Sequence, residues 1–247
     1  MRRSVTALAI FGILGSANRS EAQSTPEIVT LNAPDGVPLK GTYFSPGKPG
    51  PALLLLHQCD GTRATWTSFA SLAAAEGYHT FTFDYRGYGE SGGVQFDDRQ
   101  AQAALMAAKW PSDVDTAFSW LLARRGVDRE RVVAAGASCG ATQAAHLAER
   151  HAVVNTIVIL SGGTAPAVRS FLSRAAALPV MGAASLDDGP VVSQMRALLT
   201  ASSHPASKFV EFEKGGHGAE MFAVQPQLAR LMLDWFRTHR TPRGPRE

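Results

Sequence analysis

Residues 131–140, Arg-Val-Val-Ala-Ala-Gly-Ala-Ser-Cys-Gly, are the stretch of sequence that decides the fold. An apolar run typical of a buried strand leads into Gly136-x-Ser138-x-Gly140, and residues with helical composition follow it. A serine between a strand and a helix stands on a sharp turn that strains its backbone, and glycines two residues before and after relieve the crowding. We therefore predict that Ser138 is a nucleophile projecting above the edge of a sheet.

Two patterns alternate on either side of this stretch. Apolar or β-rich runs predict eight strands, at residues 28–32, 38–44, 51–57, 79–85, 131–137, 154–160, 178–184 and 208–213, the first two joined by a hairpin turn at Asp35-Gly36. Helical patterns separate most of the others, and the helical region from Asp97 to Arg125 is predicted to be interrupted at Pro111. This alternation indicates an α/β fold, a mostly parallel sheet of about eight strands with helices on both faces. Residues 160–178 leave room for one helix and no large lid.

The N-terminus has the pattern of a secretory signal. Arg2 and Arg3 form a positive region, residues 4–15 are apolar, and Ser20 and Ala22 are placed like a cleavage site. The apolar run is too short for a permanent membrane anchor. We therefore expect residues 1–22 to be removed as a signal peptide. Residues 23–247 should form a single domain that is periplasmic or secreted, with no stable membrane anchor after cleavage.

Charge and motifs argue against several classes of ligand. The chain has 24 Lys and Arg against 21 Asp and Glu, but removing residues 1–22 leaves 21 basic and 20 acidic residues, with no basic stripe to hold a nucleic acid. Residues 87–92 match the spacing of a dinucleotide fingerprint, yet the residues after them predict a loop rather than a helix. The sequence also has no His-Glu-x-x-His metal motif. We expect no nucleic-acid partner, no cofactor and no metal.

A serine nucleophile needs a base, and His217 is the best placed of the seven histidines. It lies in the Gly-Gly-His-Gly loop at residues 215–218, directly after the last predicted strand, where glycines let the loop bend the imidazole over the sheet edge. The acid that orients the imidazole should follow a strand between Ser138 and His217. Asp187 and Asp188 both meet this condition. Loop spacing favours Asp188, and Asp187 remains the alternative.

Four segments, taken in order, make the chain similar to small members of the α/β-hydrolase superfamily, close to its dienelactone-hydrolase-like branch. They are the loop at residues 57–61 (His-Gln-Cys-Asp-Gly), the loop at residues 84–91 (Asp-Tyr-Arg-Gly-Tyr-Gly-Glu-Ser), the turn at Ser138, and the Asp188 and His217 loops. The order nucleophile, acid, histidine is that of the superfamily. The resemblance covers residues 27–240 and implies the α/β-hydrolase fold. Serine stands where typical dienelactone hydrolases have a cysteine nucleophile.

The resemblance also implies an oxyanion hole made of the backbone N–H groups of Cys59 and Cys139. These are the only two cysteines. Two N–H groups that point at one oxygen bring their Cα atoms near the range of about 4.4 to 6.8 Å that a disulfide requires. The sequence leaves two alternatives open, a disulfide between the two cysteines or two buried free thiols. In the same loop, the resemblance favours a structural role for His57 over a catalytic one, and Gln58 stands where glycine is usual.

Together these residues predict an exported serine hydrolase that cleaves ester-type bonds through an acyl-enzyme intermediate. Ser138 would attack the carbonyl, His217 would move the proton, and Asp188 would stabilise the imidazolium. The expected partner is a small-molecule, ester-like substrate. A peptidase or an acyltransferase on the same scaffold is the enzymatic alternative. A non-catalytic exported binding protein is the alternative from another class.

Overall fold

An eight-stranded sheet forms the centre of the computed structural model, which describes residues 25–241. The strands are β1 (Glu27–Asn32), β2 (Pro38–Phe44), β3 (Gly50–Leu56), β4 (His79–Phe83), β5 (Val127–Ala137), β6 (Val154–Leu160), β7 (Val180–Ser185) and β8 (Lys208–Phe212). Their order in the sheet is β1-β2-β4-β3-β5-β6-β7-β8. The β1–β2 and β2–β4 pairs are antiparallel, and all other neighbours are parallel. The predicted α/β fold with a mostly parallel sheet is confirmed.

Within residues 25–241, seven α-helices cover the two faces of the sheet. They are α1 (Thr67–Ala75), α2 (Arg99–Leu122), α3 (Cys139–Arg150), α4 (Pro166–Leu172), α5 (Val191–Thr200), α6 (Met221–Val224) and α7 (Gln227–His239). Helices α2 to α5 pack into one buried cluster, and α1, α6 and α7 pack into the other. Leu54 and Leu56 of β3 belong to the first cluster and Leu53 and Leu55 to the second, because alternate side chains of a strand point to opposite faces.

The β1–β2 hairpin turns at Asp35-Gly36, as the dipeptide predicts. Gly36 has φ +82°, in the left-handed region that favours glycine, and its N–H donates to the Ala33 carbonyl at 2.8 Å. The turn also places the Asp35 carboxylate 2.8 Å from the guanidinium of Arg86, in the loop after β4. The hairpin is therefore fixed to the sheet edge at which β4 ends.

Helix α2 contradicts the predicted interruption at Pro111, because it runs through this residue without a break. Proline lacks a backbone N–H, so the carbonyl of Ala107, four residues earlier, loses its helical partner at a cost of about 3 kcal/mol. Packing on both sides of Pro111 outweighs this cost. Trp110 is fully buried and stacks on Tyr85 with ring centroids 3.8 Å apart, and Val114 is fully buried one turn later.

The carboxyl ends of the parallel strands lie along one edge of the sheet, where ligands of α/β proteins usually bind. The loops that converge there are residues 57–62 after β3, 84–98 after β4, Ser138 after β5, 161–165 after β6, 186–190 after β7 and 213–220 after β8. Between β6 and β7 the chain forms only the seven-residue helix α4, so this connection has no large lid, as predicted. Among the described residues, no helix combines the length and the apolar character needed to cross a bilayer.

Candidate active site

Ser138 stands on the sharp turn between β5 and α3. Its backbone has φ +52° and ψ −118°, which is strained for a residue with a side chain. The N–H of Ser138 donates to the Leu160 carbonyl at 2.8 Å, which ties the turn to the end of β6. A Cβ on Gly136 would overlap the Gly140 carbonyl oxygen, and a Cβ on Gly140 would overlap the Leu56 carbonyl oxygen. Space therefore requires both glycines of the motif.

A third glycine, Gly162, packs against the same turn from the end of β6, and the sequence motif does not reveal it. A Cβ on Gly162 would overlap the Ser138 carbonyl oxygen and lie 2.7 Å from the Ser138 Cα. The neighbouring Ser161 and Gly163 also have left-handed backbones, with φ +46° and +75°. The signal for this contact is the Ser-Gly-Gly run directly after a buried strand. The end of β6 is thus shaped to receive the nucleophile turn.

The structure brings His217 and Asp188 into direct contact. The two carboxylate oxygens of Asp188 lie 2.8 and 3.0 Å from Nδ1 of His217. An ionised carboxylate only accepts hydrogen bonds, so the neutral imidazole carries its proton on Nδ1 and keeps a lone pair on Nε2. The Asp188 side chain is 10% exposed and that of His217 is 34% exposed. The pair can accept a proton at Nε2 and stabilise the imidazolium that results.

Asp187, the alternative acid, holds the backbone of the histidine loop instead of the imidazole. Its carboxylate accepts hydrogen bonds from the N–H groups of Gly215 at 3.2 Å and Gly216 at 3.1 Å. Asp187 and Asp188 belong to one short 3-10 turn, Leu186–Asp188, which directs adjacent side chains to different partners. The geometry therefore places Asp188 on the imidazole and Asp187 on the loop that carries it.

The loop that carries His217 packs against the nucleophile turn. Gly216 and Gly218 flank the histidine with φ +70° and +60°, which is the bend that the sequence predicts. A Cβ on Gly218 would lie 3.4 Å from the Cβ of Ala137. Because Ala137 immediately precedes Ser138, the two loops with the candidate base and nucleophile are neighbours.

Gln58 links the loop after β3 to the histidine loop. Its side chain is buried, and its Oε1 accepts a hydrogen bond from the Ala219 N–H at 2.9 Å. Ala219 follows His217 by two residues, so this amide positions the histidine loop relative to the loop after β3. The sequence shows Gln58 as a departure from glycine, but its partner is 161 residues away and spacing does not reveal it.

His57 lies buried beneath the same loop as a neutral ring. Its Nδ1 is 2.7 Å from the Gln58 carbonyl oxygen, and the Tyr85 N–H donates to its Nε2 at 3.2 Å. A carbonyl only accepts and an N–H only donates, so the ring has its proton on Nδ1 and a lone pair on Nε2. Burial lowers the pKa of His57 from 6.5 to about 4. Both nitrogens are engaged, which matches the structural role that the resemblance favours.

Cys59 and Cys139 form a disulfide, with their Cα atoms 5.8 Å apart. Of the two states that the sequence leaves open, the bridged one is found. The bridge joins the loop after β3 to the first residue of α3, which follows Ser138 directly. It therefore connects the two residues whose N–H groups the resemblance assigns to an oxyanion hole.

Buried ion pairs support the loop after β4. Arg86 donates to the Asp113 carboxylate at 2.5 and 2.7 Å and to Asp35 at 2.8 and 3.1 Å. The Asp113 side chain is completely buried, and its hydrogen bonds raise the pKa of Arg86 above the usual range. A second buried carboxylate, Asp84, pairs with Arg63. These contacts are structural, and the Arg86 pairs join the loop after β4 to the hairpin turn and to α2.

The glycine-rich segment at residues 87–92 is part of this loop. Helix α2 begins only at Arg99, so the segment stays in loop conformation, as the sequence predicts. Gly89 is required by space because a Cβ there would overlap the Asp84 carboxylate. Within residues 25–241, no group of three His, Cys, Asp or Glu side chains is arranged to hold a metal ion.

Sequence comparisons identify the family of the chain. A family model described as alpha/beta hydrolase fold matches residues 51–187, which include Cys59, Ser138 and Cys139. An uncharacterised protein of Mycobacterium tuberculosis, in strains CDC 1551 and H37Rv, is 34% identical over 122 residues, or 49% of this chain. The chain matches 40% of the length of these relatives.

Solved structures share the fold at low sequence identity. An esterase of Pyrococcus furiosus has a TM-score of 0.71 at 17% identity, covering 87% of this chain and 93% of the other. Est1E of Butyrivibrio proteoclasticus, with bound ferulic acid, has a TM-score of 0.69 at 15% identity, covering 83% and 98%. A dienelactone hydrolase from Anabaena variabilis has a TM-score of 0.69 at 20% identity, covering 88% and 99%. The chain belongs to the alpha/beta hydrolase fold family.

Proposed function

We propose that this protein is a serine hydrolase that cleaves ester bonds of small or accessible substrates through an acyl-enzyme intermediate. The observation that carries the proposal is the 2.8 Å contact between His217 Nδ1 and Asp188, which leaves Nε2 as a proton acceptor. The loop with this pair packs against the strained turn of Ser138. Membership of the alpha/beta hydrolase fold family supports the same chemistry.

In the first half of the reaction, the Ser138 hydroxyl attacks the ester carbonyl carbon while Nε2 of His217 takes its proton. The imidazolium that forms is stabilised by Asp188, which is 10% exposed and therefore acts with little screening by water. The tetrahedral intermediate then expels the alcohol, which receives the proton from His217. The acyl group remains on Ser138.

The negative oxygen of the intermediate needs hydrogen-bond donors, and the N–H groups of Cys59 and Cys139 are the ones we assign. The residue after the nucleophile and a residue in the loop after β3 are the usual sources in this fold. Each donor is worth about 3 kcal/mol of transition-state stabilisation. In the second half of the reaction, a water attacks the acyl-enzyme with His217 as the base and releases the acid.

An open site favours small or accessible substrates. Ser138 and His217 are both partly exposed, and the connection between β6 and β7 has only the short helix α4. Such a site offers little enclosed surface for a long buried chain. The Pyrococcus furiosus relative in this fold is an esterase, which supports ester cleavage over other acyl transfers.

We also propose that the protein is exported and loses residues 1–22. These residues lie outside the described range, so the support is the signal-like pattern of the sequence and the Cys59–Cys139 disulfide, a cross-link that persists in oxidising compartments. We expect the intact mass of the periplasmic or secreted protein to correspond to a chain that begins at residue 23. Full-length protein found only in the cytoplasm would contradict export.

The proposed activity is tested with p-nitrophenyl esters of increasing acyl length. Wild type should hydrolyse the short esters, and Ser138→Ala should lower kcat by at least about 10⁴-fold. Ser119→Ala is the matched control, because Ser119 is an exposed serine on α2 outside the candidate site, and it should retain wild-type activity.

The same variants separate the alternatives. If wild type cleaves peptide anilides but not esters, and Ser138→Ala loses this activity, Ser138 remains the assigned nucleophile and the substrate is a peptide instead of an ester. Transfer of the acyl group to an added alcohol in preference to water would indicate an acyltransferase. Folded wild type that turns over none of these substrates would favour a binding protein and contradict the proposal.

A further inference from the structure

We propose that the Cys59–Cys139 disulfide sets the spacing of the oxyanion hole, so that the catalytic rate depends on the oxidation state of this bridge. The inference rests on the proposed function, because it concerns the two N–H donors assigned there. The disulfide holds the Cα atoms of the two donor residues 5.8 Å apart, although they lie 80 residues apart in sequence. Three local arrangements explain why this bridge would set the distance between the two N–H donors of the oxyanion hole.

The first arrangement fixes the direction of the Cys59 N–H. The preceding carbonyl, of Gln58, faces inward, where it accepts hydrogen bonds from His57 Nδ1 at 2.7 Å and from the Gly61 N–H at 3.1 Å. The N–H of a trans peptide points opposite to its carbonyl, and the described residues contain no cis peptide. The Cys59 N–H therefore points away from His57 and Gly61, which is the direction needed for a donor facing a ligand.

The second arrangement concerns Cys139. It is the first residue of the twelve-residue helix α3, so its N–H has no partner within the helix and lies at the positive end of the helix dipole. It also follows Ser138 directly, so its N–H is close to the reacting centre. The nucleophile turn positions this donor by itself, and the bridge is needed to bring the other donor to it.

The third arrangement concerns the other contacts that hold the loop after β3 to the nucleophile turn. Gly140 packs closely on the carbonyl groups of Leu56 and His57, which fixes the start of the loop. Cys59 lies two residues beyond this contact. Its direct link to the nucleophile turn is the disulfide, and its sulfur also lies 3.9 Å from the Met106 sulfur on α2. Reduction would therefore remove the direct link between Cys59 and the nucleophile turn, while the packing of Gly140 and the hydrogen bonds of Gln58 keep the loop attached.

Both cysteines are partly exposed at the sheet edge, where we expect a small dithiol to reach the bridge. A thiolate of the dithiol attacks one sulfur and forms a mixed disulfide, and its second thiol then displaces that sulfur. The dithiol becomes a cyclic disulfide, and its two electrons and two protons pass to Cys59 and Cys139 as thiols. The backbone N–H groups remain, but their spacing is no longer fixed.

The test compares oxidised wild type, wild type reduced with dithiothreitol, and the Cys59→Ala, Cys139→Ala and double alanine variants. Alkylation with mass detection should find no free thiol before reduction and two afterwards. With a short p-nitrophenyl ester at 25 °C, reduction and each variant should lower kcat by about 10- to 100-fold and change KM by less than about threefold. The double variant is the matched control and should not respond to dithiothreitol.

An alkyl boronic acid tests whether the loss arises in the oxyanion hole. Its tetrahedral adduct with serine places an oxygen where the reaction intermediate has one, so its inhibition constant should rise by the same factor as kcat falls. A bridge that only supports the fold would lower the melting temperature and leave kcat and the inhibition constant unchanged at 25 °C, which would overturn the inference. Two free thiols before reduction, or unfolding at 25 °C on reduction as judged by circular dichroism, would also overturn it.

The outcomes separate the inference from the proposed function. Turnover that is lost in Ser138→Ala but is equal in oxidised and reduced enzyme would contradict only the role of the disulfide. Oxidised enzyme without turnover that depends on Ser138 would contradict the proposed function, and the inference with it.

Discussion

Acidification from pH 8 to pH 4 should destabilise the protein through His57, and His57→Asn should remove this part of the pH dependence. The buried ring accepts a hydrogen bond from the Tyr85 N–H at Nε2 and donates from Nδ1 to the Gln58 carbonyl. Protonation of Nε2 would make it a donor that faces the Tyr85 N–H, so that two donors point at each other. It would also place a positive charge on a buried ring without water. Burial accordingly lowers the pKa of His57 to about 4.

The magnitude follows from the pKa values of the folded and unfolded states. The folded pKa of His57 is lowered to about 4 from the ordinary value of 6.5, so between these values the unfolded chain binds the proton and the folded chain does not. The stabilisation is complete above pH 6.5, is lost as the pH falls from 6.5 towards the folded pKa of about 4, and falls little further below it. Relative to its value above pH 6.5, the free energy of unfolding should be lower by about 2 kcal/mol at pH 5 and about 3 kcal/mol at pH 4, because His57 binds a proton in the unfolded chain.

The assay is urea denaturation of wild type and His57→Asn at five pH values from 8 to 4. An asparagine amide can still donate to the Gln58 carbonyl, but it does not titrate. His79 and His204 also have pKa values lowered by burial, and they contribute equally to both proteins. The difference in unfolding free energy between wild type and variant therefore isolates His57.

We expect wild type to lose its advantage over His57→Asn by about 3 kcal/mol between pH 8 and pH 4. Circular dichroism at pH 8 checks that the variant is folded before the comparison begins. A difference between the two proteins that stays constant across this range would show that His57 is not held as a neutral ring, and the reasoning would be refuted.

Three further predictions concern the acid, the nucleophile turn and the buried ion pair. Asp188→Asn should lower kcat for a short ester by about 10⁴-fold, since the imidazole loses its orientation, whereas Asp187→Asn should cost far less; equal losses would contradict the assignment. Gly162→Ala should lower the free energy of unfolding by about 2 kcal/mol, because its Cβ overlaps backbone, and an unchanged melting temperature would argue against that contact. Asp113→Ala should lower it by about 3 kcal/mol at pH 7, because buried Arg86 loses its closest partner; a loss under about 1 kcal/mol in urea would show that Asp35 alone compensates.

The fold and the nucleophile turn could be predicted because their signals are local. The run of apolar residues before Gly136 and the helical residues after Gly140 define a strand, a turn and a helix without reference to the rest of the chain. The strained backbone of Ser138 follows from the same context. The central strands β3 and β6 were recognisable because buried parallel strands are apolar runs, and the β1–β2 hairpin because of its Asp-Gly turn.

The choice between Asp187 and Asp188 could not be made from residue type or position alone. The two are adjacent, both follow β7, and only the 3-10 turn that contains them sends one to the imidazole and the other to the backbone of the histidine loop. Loop spacing favoured Asp188, and the contact with His217 agrees with it, while the catalytic role stays a prediction.

The features that sequence reasoning missed depend on contacts between distant residues. Pro111 was predicted to interrupt α2 because its local cost is real, but the packing of Trp110 and Val114 against the sheet decides the outcome. Gln58 binds Ala219, and Gly162 packs against Ser138, through contacts between residues that are far apart in sequence. Such contacts can be identified only when the three-dimensional arrangement of the strands and loops is known.

The most direct test of an activated serine in this protein is covalent labelling with a fluorophosphonate probe, followed by intact mass and peptide mapping. We expect wild type to carry one adduct, located on Ser138, and Ser138→Ala to carry none. His217→Ala should label at least about 100-fold more slowly, because the hydroxyl loses its base. Folded wild type that takes no label, or Ser138→Ala that labels at the wild-type rate, would contradict the account.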